Sequence, residues 1–118
     1  MHIAATDDRH LNARMKGGEP ISSDFVRRFA GGSTPDDATP ALAEIRRYMD
    51  ERRADLLKHL KGLSDADLPN KPNPQAQWNY EQWFKVLSWH EAHHHGQAHL
   101  TFNLYRAAHD PSIAKVGH

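Results

Sequence analysis

Two histidines spaced four residues apart, His90 and His94, are the residues of this sequence best placed to do chemistry. On an α-helix of about 3.6 residues per turn, both rings and the amide of Gln97 fall within about 60° of one another on a single face. Two imidazoles one turn apart can each direct a nitrogen at the same ion, and this spacing recurs in zinc sites. The spacing therefore predicts part of a metal site, contributed by one helix.

Apolar residues flank this pair along the same helix face. Trp83 and Leu87 precede the histidines, and Leu104 follows them. A buried polar group without a partner is destabilising by about 1–3 kcal/mol. Two imidazoles and an amide on such a face therefore need a metal ion or a dense hydrogen-bond network, and the paired spacing favours the metal. Histidines satisfied by hydrogen bonds, or simply exposed, are the alternative interpretation.

The composition limits the classes of protein to which the chain can belong. It has 118 residues, 15 basic and 15 acidic side chains, and no cysteine. This length suits a single domain, which we place at residues 1–118. Balanced charge argues against nucleic acid as a partner, because phosphate binding needs a basic excess. Without cysteine, a metal must be held by histidine, carboxylate or water, and a cysteine nucleophile is excluded.

No stretch of the sequence predicts export or membrane insertion. Residues 1–8 lack the basic and apolar regions of a signal peptide. No run approaches the ~18–20 apolar residues needed to span a bilayer. We therefore expect a soluble, cytoplasmic protein without a membrane partner.

Glycine, proline and capping residues divide the chain into helices, and no alternating strand pattern is present. We predict three main helices, at about 1–16, 40–61 and 79–109, and a short helix near 22–30. Asn79, followed three residues later by Gln82, is typical of a capping box that opens the last helix. The sequence therefore predicts an all-α fold.

The helix predicted over residues 40–61 has two contrasting faces. Its apolar stripe predicts packing on one side, and consists of Leu42, Ile45, Met49, Leu56 and Leu60. Its charged residues, which we interpret as a solvated face, are Arg46, Arg47, Asp50, Glu51, Arg52 and Arg53. The three tryptophans, Trp78, Trp83 and Trp89, are expected in the core rather than in a substrate-binding box.

The residues of the last helix also carry a family resemblance. The run from His90 to Gln97, His-Glu-Ala-His-His-His-Gly-Gln, followed by Leu104-Tyr105-Arg106, resembles the last helix of the DinB superfamily. The connection Leu63-Ser64-Asp65-Ala66-Asp67-Leu68 is similar to connections in that family. The resemblance implies an up-down helical bundle with a divalent metal ion, zinc or nickel, held by three histidines.

Carried onto this sequence, the resemblance assigns the metal ligands. The pair on the last helix becomes His90 and His94, and the early helix supplies His2, which stands ahead of the acidic pair Asp7-Asp8 as the family's ligand does. His10 is the other histidine of that helix. His93 and Gln97 become the outer partners that orient the ligand rings.

The resemblance also predicts a partner. Members of the family begin with a full helix ahead of the one that bears the first ligand, whereas this sequence starts at His2. We therefore expect a chain that is N-terminally truncated relative to the family. A missing helix exposes an apolar flank, and such flanks mark interfaces. The expected partner is a second copy, in a homodimer.

Three functions remain open from the sequence. Family members with assigned activity are mainly thiol S-transferases, so the resemblance implies a metal-dependent enzyme acting on a low-molecular-weight thiol, such as bacillithiol or mycothiol, and an electrophile. A non-catalytic helical module for dimerisation, with a structural metal or none, is the alternative. The run His90-Glu91-Ala92-His93-His94 also matches the His-Glu-x-x-His pattern of zinc metallopeptidases. The absence of a downstream glutamate ligand counts against this third function.

Overall fold

The computed structural model of the protein describes residues 1–34 and 36–110, and every regular element in these residues is helical. The elements are α1 (His2–Asp8), a π-helical stretch (Arg9–Met15), α2 (Ser23–Arg28), α3 (Leu42–Lys61), a short 3₁₀ turn (Asp65–Asp67) and α4 (Tyr80–His109). The predicted all-α class is confirmed, and each predicted helix boundary lies within two residues of the observed one.

The first helix changes its hydrogen-bond pattern halfway along. Arg9 keeps helical backbone angles, so the chain runs from α1 into the π-helical stretch without a break. The wider turn ends where the amide of Lys16 donates to the carbonyl of Leu11, 3.0 Å away. Gly17 then adopts φ 71°, a left-handed conformation that glycine accommodates without strain. The predicted end of the first helix, at about residue 16, is confirmed.

A carboxylate, Asp8, is the most deeply buried polar group of α1, and it joins three segments. Its oxygens accept hydrogen bonds from the Tyr48 hydroxyl at 2.5 Å and from the backbone amides of Ile21 and Ser22 at 2.9 and 3.0 Å. The side-chain amide of Asn12 donates a further bond of 2.7 Å. Asp8 itself is fully buried.

These hydrogen bonds decide the protonation state of Asp8. Burial alone would raise its pKa, but the donors named above outweigh that effect and hold the pKa below its ordinary value. The pKa of the Tyr48 phenol shifts in the opposite direction, since burial and the hydrogen bond to Asp8 raise it. The buried carboxylate therefore stays ionised, and Arg52 supplies a cation 3.9 Å away.

The buried face of α3 differs from the predicted one. Leu42, Met49 and Leu60 are exposed at 67%, 41% and 41%, whereas Tyr48 and Arg52 are buried together with Leu56. The prediction that Arg52 lies on a solvated face is wrong. The physical reason is Asp8, which needs a hydroxyl donor and a cation from α3 and so rotates the polar positions 48 and 52 inward.

Contacts between Cα atoms divide the chain into two compact units, Met1–Leu87 and Ser88–His118. The core of the first unit combines residues of the π-helical stretch, α3 and the start of α4, and consists of Leu11, Met15, Leu56, Trp83 and Leu87. Trp78 and Phe84 pack against it, so two of the three tryptophans lie where the sequence predicts.

The predicted capping box opens α4. The backbone amide of Asn79 donates to the side-chain oxygen of Gln82 at 3.0 Å, and the backbone amide of Gln82 donates to the side-chain oxygen of Asn79 at 2.9 Å. By contrast, α3 begins at Leu42 rather than 40, because Ala41 has extended backbone with ψ 146° and serves as the N-cap.

The described part of the second unit is the rest of α4, and most of its side chains are exposed. Trp89 is 64% exposed, so the prediction that it lies in the core is wrong. No helix in residues 1–34 and 36–110 combines the length and apolar character that crossing a membrane needs.

Candidate metal centre

Two imidazole rings face each other on α4 within the second unit. The Nε2 atoms of His90 and His94 lie 3.1 Å apart, and the two rings meet edge to face with centroids 4.5 Å apart. Both residues are half-buried on a helix whose other side chains are mostly exposed. The sequence prediction that one helix turn brings these two rings together is confirmed.

The Gln97 side chain fixes the tautomer of His94. Its Oε1 lies 2.7 Å from His94 Nδ1. An amide oxygen can only accept, so Nδ1 carries the proton and donates it to Gln97. In a neutral ring the lone pair is then on Nε2, the atom directed at His90. This is the arrangement by which outer partners orient metal-bound histidines.

His93, the second predicted outer partner, makes ring contacts instead of a hydrogen bond of this kind. Its ring stacks on Trp89 with centroids 5.1 Å apart and planes 14° from parallel, and it meets the His94 ring edge-on at the same centroid distance. These contacts limit the rotation of the His93 and Trp89 side chains. Among the described contacts of His94, Gln97 is therefore the group that selects its tautomer.

The His90–His94 geometry fits a metal ion. Zinc–nitrogen bonds of about 2.0–2.1 Å place two ligand nitrogens roughly 2.9–3.4 Å apart for bond angles between about 90° and 110°. The observed separation of 3.1 Å falls in this range. Imidazole nitrogens also suit zinc and nickel as ligands. A single N–H···N hydrogen bond between neutral rings accommodates the same distance, so metal binding requires only that His90 carry its proton on Nδ1 instead of Nε2.

His2, the third predicted ligand, lies at the start of α1 in the first unit. Its Nδ1 is hydrogen-bonded to the backbone carbonyl of Phe29. Since a carbonyl only accepts, Nδ1 carries the proton and Nε2 has the lone pair in the neutral ring, as in His94. His10 is held differently, because its Nδ1 pairs with the Thr6 carbonyl at 3.0 Å and its ring packs edge-on against Trp83.

A model of the DinB superfamily matches residues 1–98 of the sequence. The matched range includes His2, His90, His94 and Gln97, and it ends within α4. No curated protein and no solved structure matched the chain. The match gives no support to a metallopeptidase, and the histidines fit a DinB-like metal-binding protein. Because the match covers most of its length, the chain belongs to the DinB superfamily.

Proposed function

We propose that this protein is a metal-dependent enzyme that binds one divalent ion, zinc or nickel, through His2, His90 and His94, the three ligands that membership of the DinB superfamily implies. The observation that carries the proposal is the His90–His94 pair, whose Nε2 atoms lie 3.1 Å apart. Three protein ligands leave coordination positions open, as catalytic sites require.

The proposed reaction is the transfer of a low-molecular-weight thiol to an electrophile. A bound divalent ion supplies a lowered thiol or water pKa, so that the nucleophile forms at neutral pH. The thiol gives its proton to solvent, the sulfur forms a bond to the electrophilic carbon, and the leaving group departs with its bonding electrons. Gln97 orients the ring of His94 and the Phe29 carbonyl orients the ring of His2, so that each ring would offer its Nε2 lone pair to the ion.

Thiol consumption with 1-chloro-2,4-dinitrobenzene as the electrophile tests this function. Untagged protein is stripped with chelator, reloaded with zinc or nickel, and assayed with cysteine, bacillithiol and mycothiol. We expect chloride release that requires the metal and disappears in His94→Ala. Metal at one ion per chain, with no transfer to any electrophile tried, would instead support a non-catalytic module.

The non-catalytic module is a second candidate because α4 is so exposed beyond Ser88. Trp89, Leu100 and Leu104 are each more than half exposed, which favours a role in association. Metal binding and association are separable measurements, so the two functions can be tested independently.

Loss of the Gln97 acceptor should weaken metal binding without removing a ligand. We expect Gln97→Leu to lower affinity about 10–100-fold, because the His94 ring loses the partner that fixes its tautomer. Gln97→Glu keeps an acceptor at this position and should retain binding. A competition titration against a chromogenic chelator measures both variants. Equal affinities for Gln97→Leu and the unmodified protein would show that Gln97 does not orient His94.

A further inference from the structure

The short helix α2 is held at its start by the buried carboxylate of Asp8, although none of its own residues is fully buried. Asp8 accepts hydrogen bonds from the backbone amides of Ile21 and Ser22, directly before the helix begins. The Ser22 hydroxyl then caps the helix by accepting from the backbone amide of Phe25 at 3.2 Å. The first turn of α2 is therefore anchored to α1.

The middle of α2 packs against the partner of the same carboxylate. The ring of Phe25 meets the ring of Tyr48 edge to face, with centroids 5.0 Å apart. The Tyr48 hydroxyl in turn donates to Asp8. A helix of six residues is too short to be stable alone in water, so these contacts decide where α2 lies.

The end of α2 reaches one of the proposed metal ligands. Phe29 follows the last helical residue, and its backbone amide donates to the Phe25 carbonyl at 3.0 Å. The Phe29 carbonyl accepts a hydrogen bond from His2 Nδ1, across 27 residues of sequence. The direction and the tautomer of the His2 ring therefore depend on the position of α2 and not on α1 alone.

We propose that α2 is the element that orients His2 for metal binding, and that Ser22 and Phe25 are positioning residues that act through it. This inference rests on the proposed function, because it needs His2 to be a ligand. While Nδ1 donates to Phe29, the lone pair on Nε2 is available to an ion. Without α2 the neutral ring can carry its proton on either nitrogen, so only a fraction of the rings is ready to bind and the apparent affinity falls.

A matched pair of proline substitutions separates α2 from the rest of the fold. Val26→Pro removes the backbone amide that donates to the Ser22 carbonyl at 3.0 Å, and so breaks the helix in its interior. Ser23→Pro places proline at the first helical position, which favours it, and Ser22 already has the extended backbone that precedes a proline. Both variants keep Asp8 and Tyr48. Calorimetry shows whether each variant still unfolds cooperatively.

Long-range proton–nitrogen NMR spectra of the metal-free protein report which nitrogen of each ring carries the proton. The spectra are recorded at about pH 8, above the ordinary histidine pKa of about 6.5. We expect His2 to be protonated on Nδ1 in the unmodified protein and in Ser23→Pro, and to show a mixture of both tautomers in Val26→Pro. His94 is the internal control, because its Nδ1 donates to Gln97 within α4 and should not change. An unchanged His2 tautomer in Val26→Pro would overturn the proposal.

Zinc affinity gives the second readout. We expect the zinc dissociation constant to rise about 10–100-fold in Val26→Pro, the range for loss of an outer partner, and to stay unchanged in Ser23→Pro. Ser22→Ala removes only the capping hydroxyl, so it should move both readouts in the same direction as Val26→Pro and by less. A zinc-binding protein whose affinity Val26→Pro leaves unchanged would overturn the proposal. A protein whose His2 tautomer changes in Val26→Pro, but which binds no zinc in any form, would overturn the proposed function and uphold the orientation of the His2 ring by α2.

Discussion

His94→Ala will abolish tight binding of a divalent metal. The substitution removes one of the two nitrogens that lie 3.1 Å apart and leaves the Gln97 side chain without the ring that it orients. Loss of an outer partner lowers affinity by about 10–100-fold, so loss of a ligand should exceed that range. Isothermal titration with zinc and with nickel measures the effect on untagged, chelator-stripped protein.

A neighbouring histidine provides the matched control for this experiment. His95 is exposed on the same helix, and its position lies roughly 100° or more around the axis from both His90 and His94. His95→Ala removes an imidazole of the same chemistry, so it should bind metal as the unmodified protein does. An equal loss in both variants would show that the many histidines bind metal without a defined site.

Asp8→Asn will strongly destabilise the first unit. The neutral amide leaves donors from Tyr48, Ile21 and Ser22 competing for one oxygen. Arg52 loses the Asp8 carboxylate at 3.9 Å but keeps that of Asp55 at 3.1 Å. Each buried donor left unsatisfied reduces the free energy of unfolding by about 1–3 kcal/mol. We expect the melting temperature to fall by roughly 10–20 °C, measured by calorimetry.

The same substitution at an exposed aspartate is the control for this loss. Asp50 lies exposed on α3, and Asp50→Asn should change the free energy of unfolding by no more than about 0.5 kcal/mol.

The pH dependence of stability at acidic pH gives a second readout of Asp8→Asn. The pKa of Asp8 is lower in the folded chain, so its contribution is complete above about pH 4, near the ordinary aspartate value, and is lost as the pH falls through the folded value. Asp8→Asn should therefore flatten the loss of stability on the acid side.

Local chemistry made the helix ends and the histidine pair predictable from the sequence. The Asn79–Gln82 capping box depends on residues three apart, and the observed hydrogen bonds match it at both ends. The His90–His94 contact depends only on the helix period, since four residues return the chain to the same face. These features require no knowledge of how distant segments pack.

The buried polar network was not predictable because it joins distant parts of the sequence. Asp8 and Tyr48 are 40 residues apart, and their hydrogen bond decides which face of α3 turns inward. Hydrophobic periodicity predicts that Arg52 is exposed to solvent, because periodicity takes account of the polarity of each residue and not of the partner that the residue meets in the fold. Trp89 was misplaced for a related reason, since a tryptophan in a helix is expected to be buried by its own chain, whereas Trp89 is 64% exposed.

X-ray absorption spectroscopy at the metal edge tests the central claim most directly. For zinc-loaded, untagged protein the account predicts one ion per chain, three imidazole nitrogens at about 2.0–2.1 Å, and loss of one of them in His2→Ala. A spectrum with two or fewer imidazoles, or one that His2→Ala leaves unchanged, would contradict a metal centre built from His2, His90 and His94.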